Sequence, residues 1–274
     1  MKRALDLLID QVGDCPLATL SHATAEEFAK RLRESGRAHE TRRNTCNKVS
    51  AFGGWCHKRG LLPRNVFSGM MDEKRPNRPD EDRSVLKPEE VRLVLRAVGL
   101  AGEEWKRLIP LLLLYTGCRV NEVAQLRVID VQDDEGTPFL RLTEEAGSLK
   151  NLASRRSIPI HSAIAHEFLA YVELRRAAGA ERVFPLRLGV DGYGAMVSRW
   201  WSTTREKRGF SNDATLHGLR HTFGTRLRDC GVPWDEIQVL MGHSRGQGET
   251  SRYVKPQTPK QLARVIERLS YIDR

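Results

Sequence analysis

Long apolar runs are missing from this chain. The longest, Leu108 to Tyr115, contains Pro110 and falls well short of the ~20 residues needed to cross a bilayer. The start, Met1-Lys2-Arg3-Ala4, leads into an amphipathic segment with Asp6 and Asp10, without the apolar block of a secretory signal. A membrane-spanning helix and a secreted precursor are thereby disfavoured, and the expected location is cytoplasmic. Cysteine is sparse. Cys15, Cys46, Cys56, Cys118 and Cys230 are odd in number, scattered and without metal-ligand spacing. That excludes a paired disulfide framework and a zinc cluster, and fits reduced thiols, several of them in cores. Cys118, beside Arg119, is expected to be partly exposed, with no nucleophilic role. Gly192-Tyr193-Gly194 lacks the surroundings of a nucleotide-binding loop. Internal repeats and low-complexity tracts are absent too. No cofactor and no metal are expected.

What is present is length, apolar content and positive charge. A chain of 274 residues holds two domains of ordinary size, and 40% hydrophobic residues suffice for real cores. The formal net charge is +10 and the pI about 9.6. Such a balance favours an anionic partner, with nucleic acid first, although a merely basic surface gives the same figure.

Residues 1–71 read as helical. Thr24 is the expected N-cap of a helix ending near Ser35-Gly36, and a second helix spans roughly Thr41 to Gly60 with Val49, Phe52, Trp55 and Cys56 at helical spacing. Its Arg42, Arg43 and Lys48 are either a solvated face or contacts to a DNA backbone. Residues 72–85, charged, proline-containing and nearly free of apolar groups, read as a linker. The remainder, 86–274, opens with a helix start at Lys87-Pro88-Glu89-Glu90. A buried helix near Trp105–Tyr115 and a short one through Glu122 to Leu126 follow. Phe139–Leu142 and Ser157–Ile160 read as strands. Beyond them helices are expected at about 162–178, 195–207, 216–230, 234–241 and 259–270. Trp200-Trp201 is expected to fill a core on one of these helices rather than stack on bases. The fold class is therefore mainly α with a small antiparallel β-sheet.

Three motifs carry chemistry: Thr116-Gly117-Cys118-Arg119-Val120-Asn121-Glu122, His217-Gly218-Leu219-Arg220-His221, and Gly242-His243 with Tyr253 ten residues on. Planar, permanently charged guanidinium forks match the non-bridging oxygens of a phosphodiester. Histidines add donors, and a phenol can attack phosphorus. Arg119 either clamps phosphate or simply pairs with Glu122, which otherwise orients it. His217 and Arg220, at i and i+3 on the first turn of a helix, share a face, and a helix N-terminus favours an anion. His221 reads as a structural histidine. His243 follows a helix-ending glycine and alone would be a capping residue. Tyr253 outranks Tyr271, Tyr115 and Tyr193, which lack the preceding Gly-His.

The order Arg119, Lys150, His217-x-x-Arg220, Gly242-His243, Tyr253 resembles the tyrosine recombinase, or phage integrase, family, over about residues 85–258. The segment from Thr41-Arg42-Arg43-Asn44 to Asn65-Val66 similarly resembles that family's core-binding domain, with Asn65-Val66 where an Asn-Pro is common. The resemblance implies a helical core-binding domain over 1–71 and an α+β catalytic domain over 86–274. It implies site-specific cutting and rejoining of DNA through a 3′-phosphotyrosine, without metal or ATP, by a tetramer passing through a Holliday junction. Arg119, Arg220 and His243 would clamp the phosphate, with His217 as hydrogen-bond donor or proton-transfer partner and Tyr253 as nucleophile. Lys150, in a hairpin, would enter the minor groove and protonate the leaving 5′-oxygen. Arg155 and Arg156, in the phrase resembling the strand after that lysine, join Arg42, Arg43 and Lys48 as expected DNA contacts. The His243–Tyr253 interval is one residue longer than the family's usual one, within Arg245-Gly246-Gln247-Gly248. Alternatives sharing the residues are a type IB topoisomerase and a catalytically silent DNA-binding regulator, with a metal-dependent nuclease more distant. The amphipathic segment Gln261–Leu269 suits either a neighbouring protomer or the chain's own core.

Overall fold

The computed structural model describes residues 1–70, 85–149, 154–243 and 257–271. All but the last residue of the expected linker 72–85 lies outside them. The chain divides into two compact units, Met1–Glu81 and Asp82–Arg274.

The first unit is built on α1 (Lys2–Val12), α2 (His22–Glu34) and α3 (His39–Lys58). Leu8, Phe28, Leu32, Val49 and Phe67 form its core. Ser21, not Thr24, caps α2. The Ser21 hydroxyl accepts from Thr24 N–H at 3.3 Å while the Thr24 hydroxyl accepts from Ser21 N–H at 3.2 Å, a reciprocal box in which Thr24 is the third helical residue. Asn65 closes the far end, donating to Ser50 O at 3.0 Å and accepting from Phe67 N–H at 3.1 Å. Arg43 and Lys48 are exposed on α3. Arg42 is half-buried and donates to Arg33 O at 3.1 Å.

In the second unit, α4 (Pro88–Gly99), α5 (Glu104–Thr116) and α6 (Val120–Ala124) precede the sheet. α5 is apolar almost all round, so it runs through the middle of the core, with Leu108, Ile109, Leu112, Leu113 and Leu114 all buried. The strands β1 (Val131–Asp134), β2 (Thr137–Leu142) and β3 (Arg156–Pro159) form an antiparallel sheet in that order. Its register sets the buried Val131, Leu140 and Ile158 side by side. β1 was not expected, because Gln132, Asp133 and Asp134 make it polar. Its signature is the turn: Glu135 and Gly136 both take positive φ, 51° and 82°, as a two-residue hairpin requires. Among the described residues, five further helices follow: α7 (Ser162–Ala177), α8 (Gly194–Arg208), α9 (Leu216–Asp229), α10 (Trp234–Met241) and α11 (Pro259–Ile266). Trp201 is buried as expected, its indole N–H donating to Ala214 O at 2.6 Å, and Trp200 meets Trp105 edge-on at 5.2 Å.

The tail packs on its own core. Leu262, Ile266, Leu269 and Tyr271 are buried in it, and α11 lies against β2 and β3. Glu267 accepts from Ser162 N–H and its hydroxyl at 2.7 and 2.6 Å, and Tyr271 OH donates to Leu114 O at 2.7 Å. Of the two destinations open to this segment in the sequence, the structure adopts the chain's own core.

Candidate phosphate-binding site

The site is assembled where α5 ends, α6 begins, α9 begins and α10 ends. α5 terminates in Gly117 at φ 61°. A Cβ there would lie 2.3 Å from the Phe223 ring, so only glycine permits both the turn and the contact. The chain then reverses into Arg119, the N-cap of α6. Arg119 N–H donates to Glu122 Oε2 at 2.8 Å, and its guanidinium to Glu122 Oε1 at 2.7 Å and Ser154 Oγ at 3.1 Å. Its other terminal nitrogen lies 3.5 Å from Gly242 O, which brings His243 next to it in the chain.

Thr215 caps α9, accepting from Gly218 N–H at 2.8 Å. On its first turns His217 is exposed, its ring 4.3 Å from that of His221, while Arg220 is only 2% exposed. Arg220 donates to Gly117 O at 2.5 Å and Met241 O at 2.6 Å, with Glu122 Oε2 4.0 Å away. The guanidinium is thus gripped by terminal carbonyls of α5 and α10, whose helix dipoles favour a cation there. Gly242, at φ 61°, ends α10 and delivers the half-buried His243, whose N–H donates to Gln238 O at 3.0 Å.

Arg156 departs from expectation. Instead of facing DNA from the surface, its side chain is 6% exposed. Its Nε donates to Leu240 O at 2.7 Å, and its terminal nitrogens to Ser154 O at 2.8 Å and Glu122 Oε2 at 3.0 Å. The reason is strand alternation: Arg156 shares a face with the buried Ile158, whereas Arg155 points outward and pairs with Glu144. The strand expected from the sequence began one residue later, at Ser157, so Arg156 was not assigned to it. Ser154 and Arg182 had no sequence signal either. Arg182 donates to Gln125 O at 2.6 Å and Ala146 O at 3.1 Å, which holds the chain leading toward Lys150. Lys150 and Tyr253 themselves lie outside the described residues.

Three guanidinium groups therefore converge on one carboxylate. Burial pushes the Glu122 carboxyl up, but the Arg156 charge and the hydrogen bonds from Arg156 and Arg119 outweigh it and hold the group below the ordinary range. Burial, then the charges of Arg119 and Arg156, lowers Arg220 to about 10. The cluster has an excess of positive charge, as an anion site requires. Cys118, expected to be partly exposed, is fully buried, and burial pushes its thiol up to about 11. The described tyrosines are all engaged elsewhere. Burial raises the phenols of Tyr115, Tyr171 and Tyr271, and Arg182 lies 4.3 Å over the ring of Tyr193. Among the described residues no group of three or more His, Cys, Asp or Glu could hold a metal ion, and no helix is long and apolar enough to cross a membrane.

The profile described as the phage integrase family matches residues 84–259. A tyrosine recombinase XerA of Thermococcus kodakarensis is 30% identical over 212 residues, 76% of this chain and 72% of that protein. A tyrosine recombinase XerC of Brucella suis is 27% identical over 259 residues, 89% of this chain and 78% of the relative. Among solved structures, the Tn1549 transposon integrase in complex with a circular intermediate DNA superposes with a TM-score of 0.63 at 23% identity, covering 98% of this chain and 92% of that one. A lambda integrase tetramer bound to a Holliday junction gives 0.61 at 18% identity, covering 90% and 70%. The chain belongs to the phage integrase family and is a tyrosine-type site-specific DNA recombinase.

Proposed function

We propose that this enzyme cuts and rejoins double-stranded DNA through a 3′-phosphotyrosine on Tyr253, with neither metal nor ATP. Arg119 and Arg220 hold the non-bridging oxygens of the scissile phosphate, His243 adds a donor, and His217 donates a hydrogen bond or relays a proton. Tyr253 Oη, its proton passing to His217 or to solvent, attacks phosphorus, the bond to the 5′-oxygen breaks, and Lys150 supplies the proton that the departing oxygen takes. In the reverse step the 5′-hydroxyl of another strand attacks, the phosphotyrosine bond breaks, and the phenol recovers a proton. The phosphodiester count is unchanged, so no external energy source is needed. Glu122 fixes the Arg119 fork. Donors and charges set in place beforehand stabilise the negative charge that builds on the pentavalent phosphorus, commonly the largest contribution in such sites.

The observation that carries this reading is the surplus of clustered positive charge: the half-buried Arg119 and the buried Arg156 and Arg220 against Glu122 alone, with Arg220 lowered to about 10. A phosphate oxygen relieves that excess. Engagement of the described tyrosines in packing or ring contacts supports Tyr253 as the nucleophile. The complexes of the Tn1549 integrase with DNA and of lambda integrase on a Holliday junction support a DNA partner and a working tetramer. We place the reaction in the cytoplasm. The test is incubation with a pool of randomised nicked duplexes, chelator present and nucleotide absent, followed by denaturing capture of the protein and sequencing of attached DNA. A shared sequence among captured strands is expected. A protein that binds the pool but attaches to none of it contradicts the proposal.

A further inference from the structure

One buried cation remains outside the mechanism. The Arg156 side chain is only 6% exposed, and its guanidinium reaches three segments. It meets Glu122 on α6 at 3.0 Å, Ser154 O just before β3 at 2.8 Å, and Leu240 O at the end of α10 at 2.7 Å. Gly242 makes room for it. A Cβ on that glycine would lie 2.6 Å from an Arg156 terminal nitrogen. The fork is planar and its donors diverge at fixed angles, so one side chain sets the spacing of three otherwise separate segments.

We infer that Arg156 is a positioning residue for strand cleavage, holding the Glu122 carboxylate under Arg119 and fixing the α10 turn that presents His243. This rests on reading Arg119 and Arg220 as the phosphate clamp. Arg156 itself contacts no reacting atom. It acts by keeping Glu122 ionised and in place, so that both carboxylate oxygens remain bonded to Arg119, through its backbone N–H and its guanidinium. The groups facing Glu122 are Arg119 at the start of its own helix, Cys118 just before it, Arg156 from β3 and Arg220 from α9. Without Arg156, two cations remain, and Arg220 at 4.0 Å is the more remote. Burial then weighs more heavily, and the carboxyl takes up a proton at higher pH.

The experiment measures single-turnover attachment of the full-length protein to a nicked duplex carrying its recovered site, as a function of pH, for wild type, Arg156→Gln and Arg156→Lys. For Arg156→Gln, DNA affinity should hold while attachment slows on the order of 100-fold at neutral pH. Its acid limb should move up by about one pH unit or more. Arg156→Lys restores the charge but not the fork. Its acid limb should return to the wild-type position, with the rate still on the order of 10-fold low. A loss that is the same at every pH in both variants and follows their melting temperatures would make Arg156 a purely structural residue and overturn the inference. If Arg156→Gln does not fold, Arg156→Lys decides alone, and a wild-type rate or a displaced acid limb in it is equally fatal. Arg119→Ala and Arg220→Ala run in parallel. If either attaches at the wild-type rate, the clamp reading is what fails. If both are inactive while the Arg156 profiles stay flat, only the present inference fails.

Discussion

Glu122→Gln replaces one oxygen by nitrogen in a side chain that is 3% exposed and flanked by guanidinium nitrogens at 2.7, 3.0 and 4.0 Å. The shape is kept, the charge is lost, and the buried Arg156 and Arg220 face each other and the half-buried Arg119 without that counter-ion. Removing one member of a buried ion pair costs roughly 3–5 kcal/mol. Gln retains one acceptor oxygen, so the lower end, about 3 kcal/mol, applies. For a unit the size of Asp82–Arg274, each kcal/mol moves Tm by roughly 2–4 °C, giving a fall of about 6–12 °C. The assay is calorimetric melting with and without sulfate at constant ionic strength. Sulfate should raise Tm in both proteins and more in the variant, because the anion then replaces the missing carboxylate. The pH dependence has a definite sign. The carboxyl of Glu122 is held below its ordinary value in the folded state. Its contribution is therefore complete above the unfolded value of about 4.3 and is lost as pH falls through the lower, folded one. The stability gap between wild type and variant should be constant near neutrality and close only in acid below about pH 4. A variant that melts within about 1 °C of wild type, with the same response to sulfate, refutes a charge-surplus site built on Glu122.

Gly242→Ala forces a left-handed residue, worth roughly 1–2 kcal/mol, and pushes a methyl group against the Arg156 fork; melting should show a loss of about 2–3 kcal/mol together with loss of DNA attachment, and an unaltered melt contradicts the packing described. Ile266→Ala, at a fully buried position of α11, should destabilise the DNA-free protein by about 2–4 kcal/mol in denaturant titration. No effect there would mean that the tail is not part of its own core. Affinity for duplex DNA should fall steeply with salt, and Lys48→Ala should lower the slope of log K against log salt by about one; a slope unchanged in that variant removes Lys48 from the DNA contacts.

Much of this molecule could be read without coordinates, for identifiable reasons. The helices announce themselves by apolar spacing and by their ends: Lys87-Pro88 opens α4, Gly117 closes α5 and Gly242 closes α10. The two strands rich in branched or aromatic residues were legible, whereas β1 was hidden by its acids and betrayed only by Glu135-Gly136. The cap of α2 slipped by three residues because Ser21 and Thr24 are both good caps and act as a pair. Spacing brought Arg119, Glu122 and Arg220 to notice, and the fold gathers them. It could not separate Arg155 from Arg156 until strand parity was applied. Ser154 and Arg182 bond backbone or neighbouring side chains across long sequence separations, for which local pattern has no mark. Whether the tail packs on its own chain was undecidable from amphipathicity, since an apolar stripe does not name its partner.

The central claim is that Tyr253 becomes covalently joined to DNA. A phenol with a pKa near 10 is almost wholly protonated at neutral pH, so attack requires the clamp to acidify it or a base to accept its proton. Tyr253→Phe removes only the oxygen. On a nicked substrate that traps the cleaved strand, in the presence of EDTA, wild type should yield a protein–DNA adduct. Proteolysis and mass spectrometry should then find the nucleotide on the peptide containing Tyr253. The Phe variant should bind the same DNA equally well and yield none. An adduct that persists in Tyr253→Phe, or that maps to another residue in wild type, contradicts the account.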